Sequence, residues 1–178
     1  LLLETLYEPD ELLWIGDRYQ AGIIGNTIKS TVEWKGYFKN GGKAGPFIII
    51  NPLTGPPSPT KSGDKTTLRG DGNIRSHRYA MAEFDGLSRE DQVRFWGAVK
   101  LPIVALIDSG NRSFHAWISV QKLAPVTTAE QWANEIKGRL YDSLLRPMGI
   151  DGACGNPSRL SRLPGHYREE KGAYQRLL

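Results

Sequence analysis

The sequence predicts an α+β fold in which a small antiparallel sheet carries a polar site at one end. Three observations lead there. Apolar, strand-like runs occur at YAMAEFD (79–85), IVALID (103–108) and FHAWISV (114–120). Helix-like stretches interrupt and follow them, SREDQVRFWGAV (88–99) and the long segment after Thr127 and Thr128. The resulting order, β-α-β-β-α, is that of a split βαβ unit, the topology of ferredoxin-like and RNA-recognition-motif-like (RRM-like) folds.

Taken in order, residues 1–50 mix short apolar runs with turn residues. LLWIG, AGIIGN and FIIIN read as strands, and TIKSTVEWKGYFKNGG between them reads as a helix ending at its Gly pair. Residues 52–73, dense in Pro, Gly, Ser and Thr, read as a loop. Residues 1–74 are therefore expected to form an N-terminal α/β subdomain, and residues 75–178 the core, within one domain spanning 1–178. In the core, Ser88 caps a helix with Glu90 and Asp91 in its first turn. Thr127 or Thr128 caps a longer helix in which Trp132, Ile136, Leu140 and Leu144 recur every four residues and face the sheet. Pro147 and Gly149 end it.

Bulk properties restrict the function classes. The chain has 178 residues, 39% hydrophobic and 24% charged, enough for one buried core. Its formal charge of +4 leans towards an anionic partner. The positive charge is concentrated. Lys61, Lys65, Arg69, Arg75 and Arg78 outnumber Asp64 and Asp71, and Arg159, Arg162, Arg168, Lys171 and Arg176 outnumber Glu169 and Glu170. A single cysteine, Cys154, excludes an internal disulfide and fits a reducing compartment, and with three histidines it argues against a structural zinc. No apolar run approaches the roughly 20 residues that span a bilayer. The start LLLETLYEPDE lacks the basic opening of a signal peptide, so the expected location is cytoplasmic. The missing initiator methionine suggests a fragment of a longer protein.

The chemistry gathers at the strand ends. Glu83 and Asp85 alternate with Ala82 and Phe84, so on an extended chain both carboxylates leave one face. Asp151, in GIDG after the long helix, can join them if that segment lies beside the first strand. Three carboxylates around two divalent ions can align an attacking hydroxyl with a phosphoryl group. The bland alternatives are acids facing water and an aspartate serving a turn. The turn Ser109-Gly110-Asn111-Arg112-Ser113 offers hydroxyls, exposed amides and a cation, and His115 follows it; together they can hold a triphosphate. A lone strand histidine is more often structural. Arg159, Arg162 and Arg168 suit phosphate oxygens, as do Arg75 and Arg78 on the other basic segment.

This set resembles the archaeo-eukaryotic primase superfamily, and more closely the primase-polymerase domains of phage, prophage and plasmid replication proteins. Its acid-x-acid motif corresponds to Glu83-Phe84-Asp85, its Ser-x-His motif to Ser113-Phe114-His115, and its third acid to Asp151 after Ile150. SRLSRLPGHYR resembles the arginine-bearing segment of the prophage members. The likeness spans about residues 75–168, and its first acid is Glu where Asp is commoner. It implies an RRM-like catalytic palm that joins nucleotides on a DNA template as a primase, a DNA polymerase or both. By the resemblance Glu83, Asp85, His115 and Asp151 are catalytic, and the three acids bind two Mg²⁺ or Mn²⁺ ions. Ser109, Arg112, Ser113, His115, Arg162 and Arg168 bind the nucleotide; Arg75, Arg78 and Arg159 bind DNA. The implied partners are a single-stranded DNA template, NTP or dNTP substrates, and a helicase domain such as family members often carry. Two other readings compete. A rolling-circle initiator nuclease wants a His-x-His pair, and no two histidines here are neighbours. A non-catalytic single-strand-binding module would stack bases on Phe84, Phe114 and Trp117, leaving the acids unexplained.

Overall fold

The computed structural model describes all residues from Leu1 to Leu178. A short helix, α1 (Leu2–Leu6), leads into β1 (Leu12–Gly16), which pairs antiparallel with β2 (Ile28–Ser30). Helix α2 (Thr31–Lys39) starts directly afterwards through a reciprocal cap. The Glu33 N–H donates to Ser30 Oγ at 3.3 Å, while the Ser30 N–H donates to the Glu33 carboxylate at 2.7 Å. The helix stops at Asn40, just short of the Gly pair. β3 (Phe47–Ile49) covers the other edge of β1. AGIIGN is not a strand. Ile23 and Ile24 are exposed, and Gly25, at φ +78°, reverses the chain so that its N–H donates to Ile28 O. Here turn chemistry overrides the strand preference of two isoleucines.

The Pro-rich loop is ordered by its own contacts. β4 (Ser58–Pro59) pairs with β5 (Thr66–Thr67), and a single 3₁₀ turn covers Asp71–Asn73. Asn73 is fully buried, accepts from Ser58 Oγ and the Gly70 N–H, and donates to Pro56 O. That side chain adds the ties that so short a ladder cannot supply.

β6 (Tyr79–Ala82), α3 (Arg89–Ala98, capped by Ser88), β7 (Ile103–Asp108) and β8 (Phe114–Ser119) follow in the predicted order. Both β6 and β7 pair antiparallel with β8. The first strand is shorter than the apolar run suggested, ending at Ala82, and beyond it Phe84 makes a single antiparallel bridge with Ile150. The fourth strand of a split βαβ sheet is thus reduced to one bridge. The opposite edge, beside β7, is taken by a C-terminal strand described below.

Helix α4 starts at Ala129–Gln131, capped by Thr128, and continues as a wide π-helix over Trp132–Leu145. At its end the Arg146 N–H donates to Tyr141 O, five residues back. The wider turn moves the buried stripe onto Trp132, Ile136, Leu140, Tyr141 and Leu145 and leaves Leu144 exposed, so the predicted four-residue repeat fails at its last member. Tyr141 fixes the helix on the sheet by donating to Met81 O at 2.6 Å.

β9 (Leu160–Arg162) then crosses to the first sheet and pairs with β3, giving the order β2-β1-β3-β9. β10 (Tyr167–Arg168) and β11 (Ala173–Tyr174) form a hairpin, and β12 (Arg176–Leu177) completes the second sheet, β12-β7-β8-β6. One hydrophobic cluster of 30 buried residues, from Leu2 to Leu163, joins both sheets. The result is a mixed helix and antiparallel-sheet fold whose two sheets meet where Ser161 of β9 reaches His115 and Trp117 of β8. No helix is long and apolar enough to cross a membrane.

Candidate active site

Where β6 ends, Phe84 turns inward, packing against Phe95 and Trp96 at ring separations of 4.8 and 5.5 Å. Glu83 and Asp85, its neighbours, therefore leave on the opposite side. Asp151 arrives from α4: Gly149, at φ +95°, turns the chain, and the Asp151 N–H donates to Glu83 O at 2.9 Å. Carboxylate oxygens of Glu83 and Asp151 and the Cys154 thiol lie within 4.8 Å of one another.

Glu83 is the most constrained of the three acids. Its Oε2 accepts from Ser113 Oγ at 3.0 Å and faces His115 Nε2 at 3.1 Å, while Oε1 faces Arg159 Nη2 at 3.5 Å. Burial opposes its charge, but the hydrogen bonds from His115 and Ser113 and the Arg159 charge outweigh that and hold the carboxyl at about 2. Asp85 behaves oppositely. Partial burial, then the charges of Glu83 and Asp151, push its carboxyl up, so three carboxylates feel each other across one small volume. Burial pushes the Cys154 thiol up to about 12, which keeps it protonated.

The β7–β8 turn forms the adjoining wall. Arg89, from α3, pairs with Asp108 through both guanidinium nitrogens at 3.0 and 2.7 Å and donates to Asn111 O at 2.8 Å. Asp108 in turn accepts the Gly110 N–H at 2.8 Å. Gly110, at φ +69°, lies so close to β11 that an added Cβ would meet Tyr174 O at 3.0 Å. His115 is buried behind Glu83 and reaches the other sheet. Its Nδ1 lies 3.2 Å from Ser161 Oγ, which also accepts the Trp117 indole N–H at 2.7 Å.

Between these walls lies a cleft of about 340 Å³, lined among others by Glu83, Asp85, Ser113, His115, Arg159 and Arg162. Its polar character comes from cations. Arg162 is half-buried over the Phe47 ring at 4.3 Å and pairs with no carboxylate. Burial, then the neighbouring Arg168 charge, lowers its pKa to about 10 against the weaker opposing pull of Glu83 and Glu170. Arg168 donates to Ser109 O at 3.1 Å and pairs with Glu170 at 2.7 Å. A larger groove of about 1250 Å³ lies between α1, α2 and residues 163–177. Half of its lining residues are hydrophobic, and its two acids, Glu4 and Glu169, are exposed.

Of the residues singled out in the sequence, Glu83, Asp85, Ser109, Arg112, Ser113, His115, Arg159, Arg162 and Arg168 all line the cleft, and Asp151 adjoins it through Glu83 and Arg159. Arg75 and Arg78 do not. Arg78 is paired with Glu11 and lies over the Tyr7 and Tyr79 rings, and Arg75 is exposed. Phe84, Phe114 and Trp117 are at most 3% exposed, so none offers a face on which a base could stack. Sequence reasoning missed Arg18, Asn156 and Ser158, which also line the cleft, and Ser161 behind it. The NPS stretch before Arg159 was the signal for two of them; Arg18 carried none.

No protein-family model matches this chain, and no curated protein matches it. Among solved structures, the AEP domain of the cyanophage S-2L primase-polymerase superposes with a TM-score of 0.62. The match covers 99% of this chain and 85% of that one at 14% sequence identity. The likeness extends over nearly the whole chain, so this chain shares the fold of that AEP domain.

Proposed function

We propose that this chain is a DNA-template-directed nucleotidyltransferase, a primase, a DNA polymerase or both, acting in the replication of a phage or mobile element. One observation carries the reading: three carboxylates from two parts of the chain, Glu83 with Asp85 and Asp151, gather beside a cleft rich in arginines, one of which, Arg162, pairs with no carboxylate. Acids next to unpaired cations suit a substrate that brings both metal and phosphate.

The donor set fits hard divalent cations. Glu83 Oε2 is occupied by Ser113 and His115, leaving Oε1, and Asp151 Oδ1 accepts the Ala153 N–H, leaving Oδ2. Asp85 is exposed to the cleft. Oxygen donors favour Mg²⁺ or Mn²⁺, and the protonated Cys154 thiol is no competing ligand. When bound by Glu83, Asp85 and Asp151, two such ions would activate a 3′-hydroxyl and stabilise the departing pyrophosphate. His115 and Ser113 orient Glu83 and fix which oxygen remains free. Arg162, Arg168, Arg112, Ser109 and Ser113 receive the triphosphate, Arg162 most strongly because it has no acid to leave. Arg75 and Arg78 are assigned to the DNA strand, together with Arg159, which in the metal-free protein stands between Glu83 and Asp151.

The test is incubation with a single-stranded template, labelled NTPs or dNTPs, and Mg²⁺ or Mn²⁺, with and without a primer. Incorporation that disappears in Asp85→Ala is the expected result. No product under any metal, template or nucleotide defeats the proposal.

A further inference from the structure

Arg159 stands between two of the three carboxylates. Its Nη2 lies 3.0 Å from Asp151 Oδ2 and 3.5 Å from Glu83 Oε1. Those are the two oxygens that the other contacts of Glu83 and Asp151 leave free. The hold is imperfect. One nitrogen serves both acids where a guanidinium can offer a parallel pair of bonds, and Arg159 Nε is buried without any hydrogen-bond partner. Arg159 is therefore kept there by charge rather than by fit.

We propose that Arg159 is a resident counter-cation for Glu83 and Asp151, which a divalent metal ion must displace before it can bind. The inference rests on the metal-dependent reading above. The three side chains are only 14–22% exposed, so without a cation here the two carboxylates would repel each other with little screening by water, and the metal-free protein needs one at this point. A metal ion contacts carboxylate oxygens at roughly 2.0–2.6 Å, and a guanidinium on the same oxygens would be both crowded and repelled. Only the conformers with Arg159 turned away are competent for metal. If they make up about a tenth of the population, the apparent metal Kd rises about tenfold. Arg159 also lines the cleft beside Ser158 and Arg162. An anion there draws the guanidinium from the acids, so triphosphate and metal favour each other's binding.

The experiment measures Mn²⁺ binding to the whole chain by the electron paramagnetic resonance of free Mn²⁺, with and without a non-hydrolysable nucleoside triphosphate. Arg159→Gln is expected to bind Mn²⁺ about tenfold tighter than the unmodified chain when nucleotide is absent. Nucleotide should tighten Mn²⁺ binding in the unmodified chain and do so less in the variant. In thermal scans without metal, Arg159→Gln should melt lower, and Mn²⁺ should raise its Tm by more. Arg159→Met, of similar volume and no charge, carries the same expectations should the glutamine variant not fold. Equal or weaker Mn²⁺ binding by the neutral variants overturns the counter-cation role while leaving the metal site standing. Absence of Mn²⁺ binding in every protein overturns both.

Discussion

His115 Nε2 lies 3.1 Å from Glu83 Oε2, inside the protein and behind the cleft. This contact, with Ser113, decides the charge of the acid that leads the site. Glu83 is held at about 2, below the ordinary carboxylate value near 4.3, so its ionised form stabilises the fold. For a depressed carboxylate that contribution is fully present above about pH 4.5 and disappears as pH falls through about 2. The shift corresponds to about 3 kcal/mol. Urea denaturation between pH 7 and pH 2 should therefore show a loss of stability on the acid side that shrinks in Glu83→Gln. Parallel curves for the two proteins would mean that the contact does not set the charge.

Ser161 joins the two sheets at the back of the site. Its hydroxyl accepts the Trp117 indole N–H and meets His115 Nδ1. Ser161→Ala strands the buried indole donor and removes one contact of the imidazole, whose Nδ1 still accepts the Arg162 N–H and whose Nε2 still faces Glu83. The expected loss is about 1–3 kcal/mol, read by denaturation, with a shift in tryptophan fluorescence. Unchanged stability and unchanged emission would show that the hydroxyl is dispensable.

Much of this was legible in the sequence because the relevant signals are local. Glu83 and Asp85 leave one face because strand geometry has a period of two. Ser88 and Thr128 announced their helices, and the polar turn between β7 and β8 announced its hairpin. Asp151 was harder, since its place beside Glu83 depends on one bridge between Phe84 and Ile150, a pairing no local pattern encodes. Three features stayed hidden for the same kind of reason. No local pattern marks Leu160–Arg162 as a strand, yet it pairs with Phe47–Ile49, over a hundred residues away in the chain, and that pairing brings Ser161 to His115. Ile23 and Ile24 look like a strand, but the turn at Gly25 leaves them no partner over most of their length. Leu144 follows a period-four reading that holds only while the helix keeps ordinary pitch.

Asp71 reaches the cleft wall from the Pro-rich loop. Its Oδ1 accepts from Ser158 Oγ at 2.6 Å, from Asn156 Nδ2 at 3.2 Å and from the Ser158 N–H at 3.3 Å, and both partners line the cleft. Asp71→Ala should raise the nucleotide KM several-fold with little change in kcat, because the wall is shared by ground and transition states. Asp71→Asn keeps one acceptor oxygen and should recover part of the loss. A KM unchanged in both variants would detach the loop from the site.

Asp85 gives the sharpest separation of stability from function. Burial and the charges of Glu83 and Asp151 raise its carboxyl, and a raised carboxylate pKa means that its ionised form destabilises the metal-free fold at neutral pH. Lowering the pH towards protonation relieves that cost, in the opposite sense to Glu83. Asp85→Asn should therefore raise the Tm of the metal-free protein at pH 7, while the gain vanishes in acid. The same substitution removes a carboxylate from the metal set, so Mn²⁺ should no longer raise the Tm and nucleotide incorporation should be lost. Single-stranded DNA binding should be retained or slightly tighter, since one negative charge has left a phosphate-facing surface. This combination, a more stable protein that is inactive yet still binds DNA, is what strain stored at a functional site predicts. A variant that is active would show that Asp85 is an ordinary surface acid, and one that is inactive and also less stable without metal would show that its charge supports the fold instead of straining it.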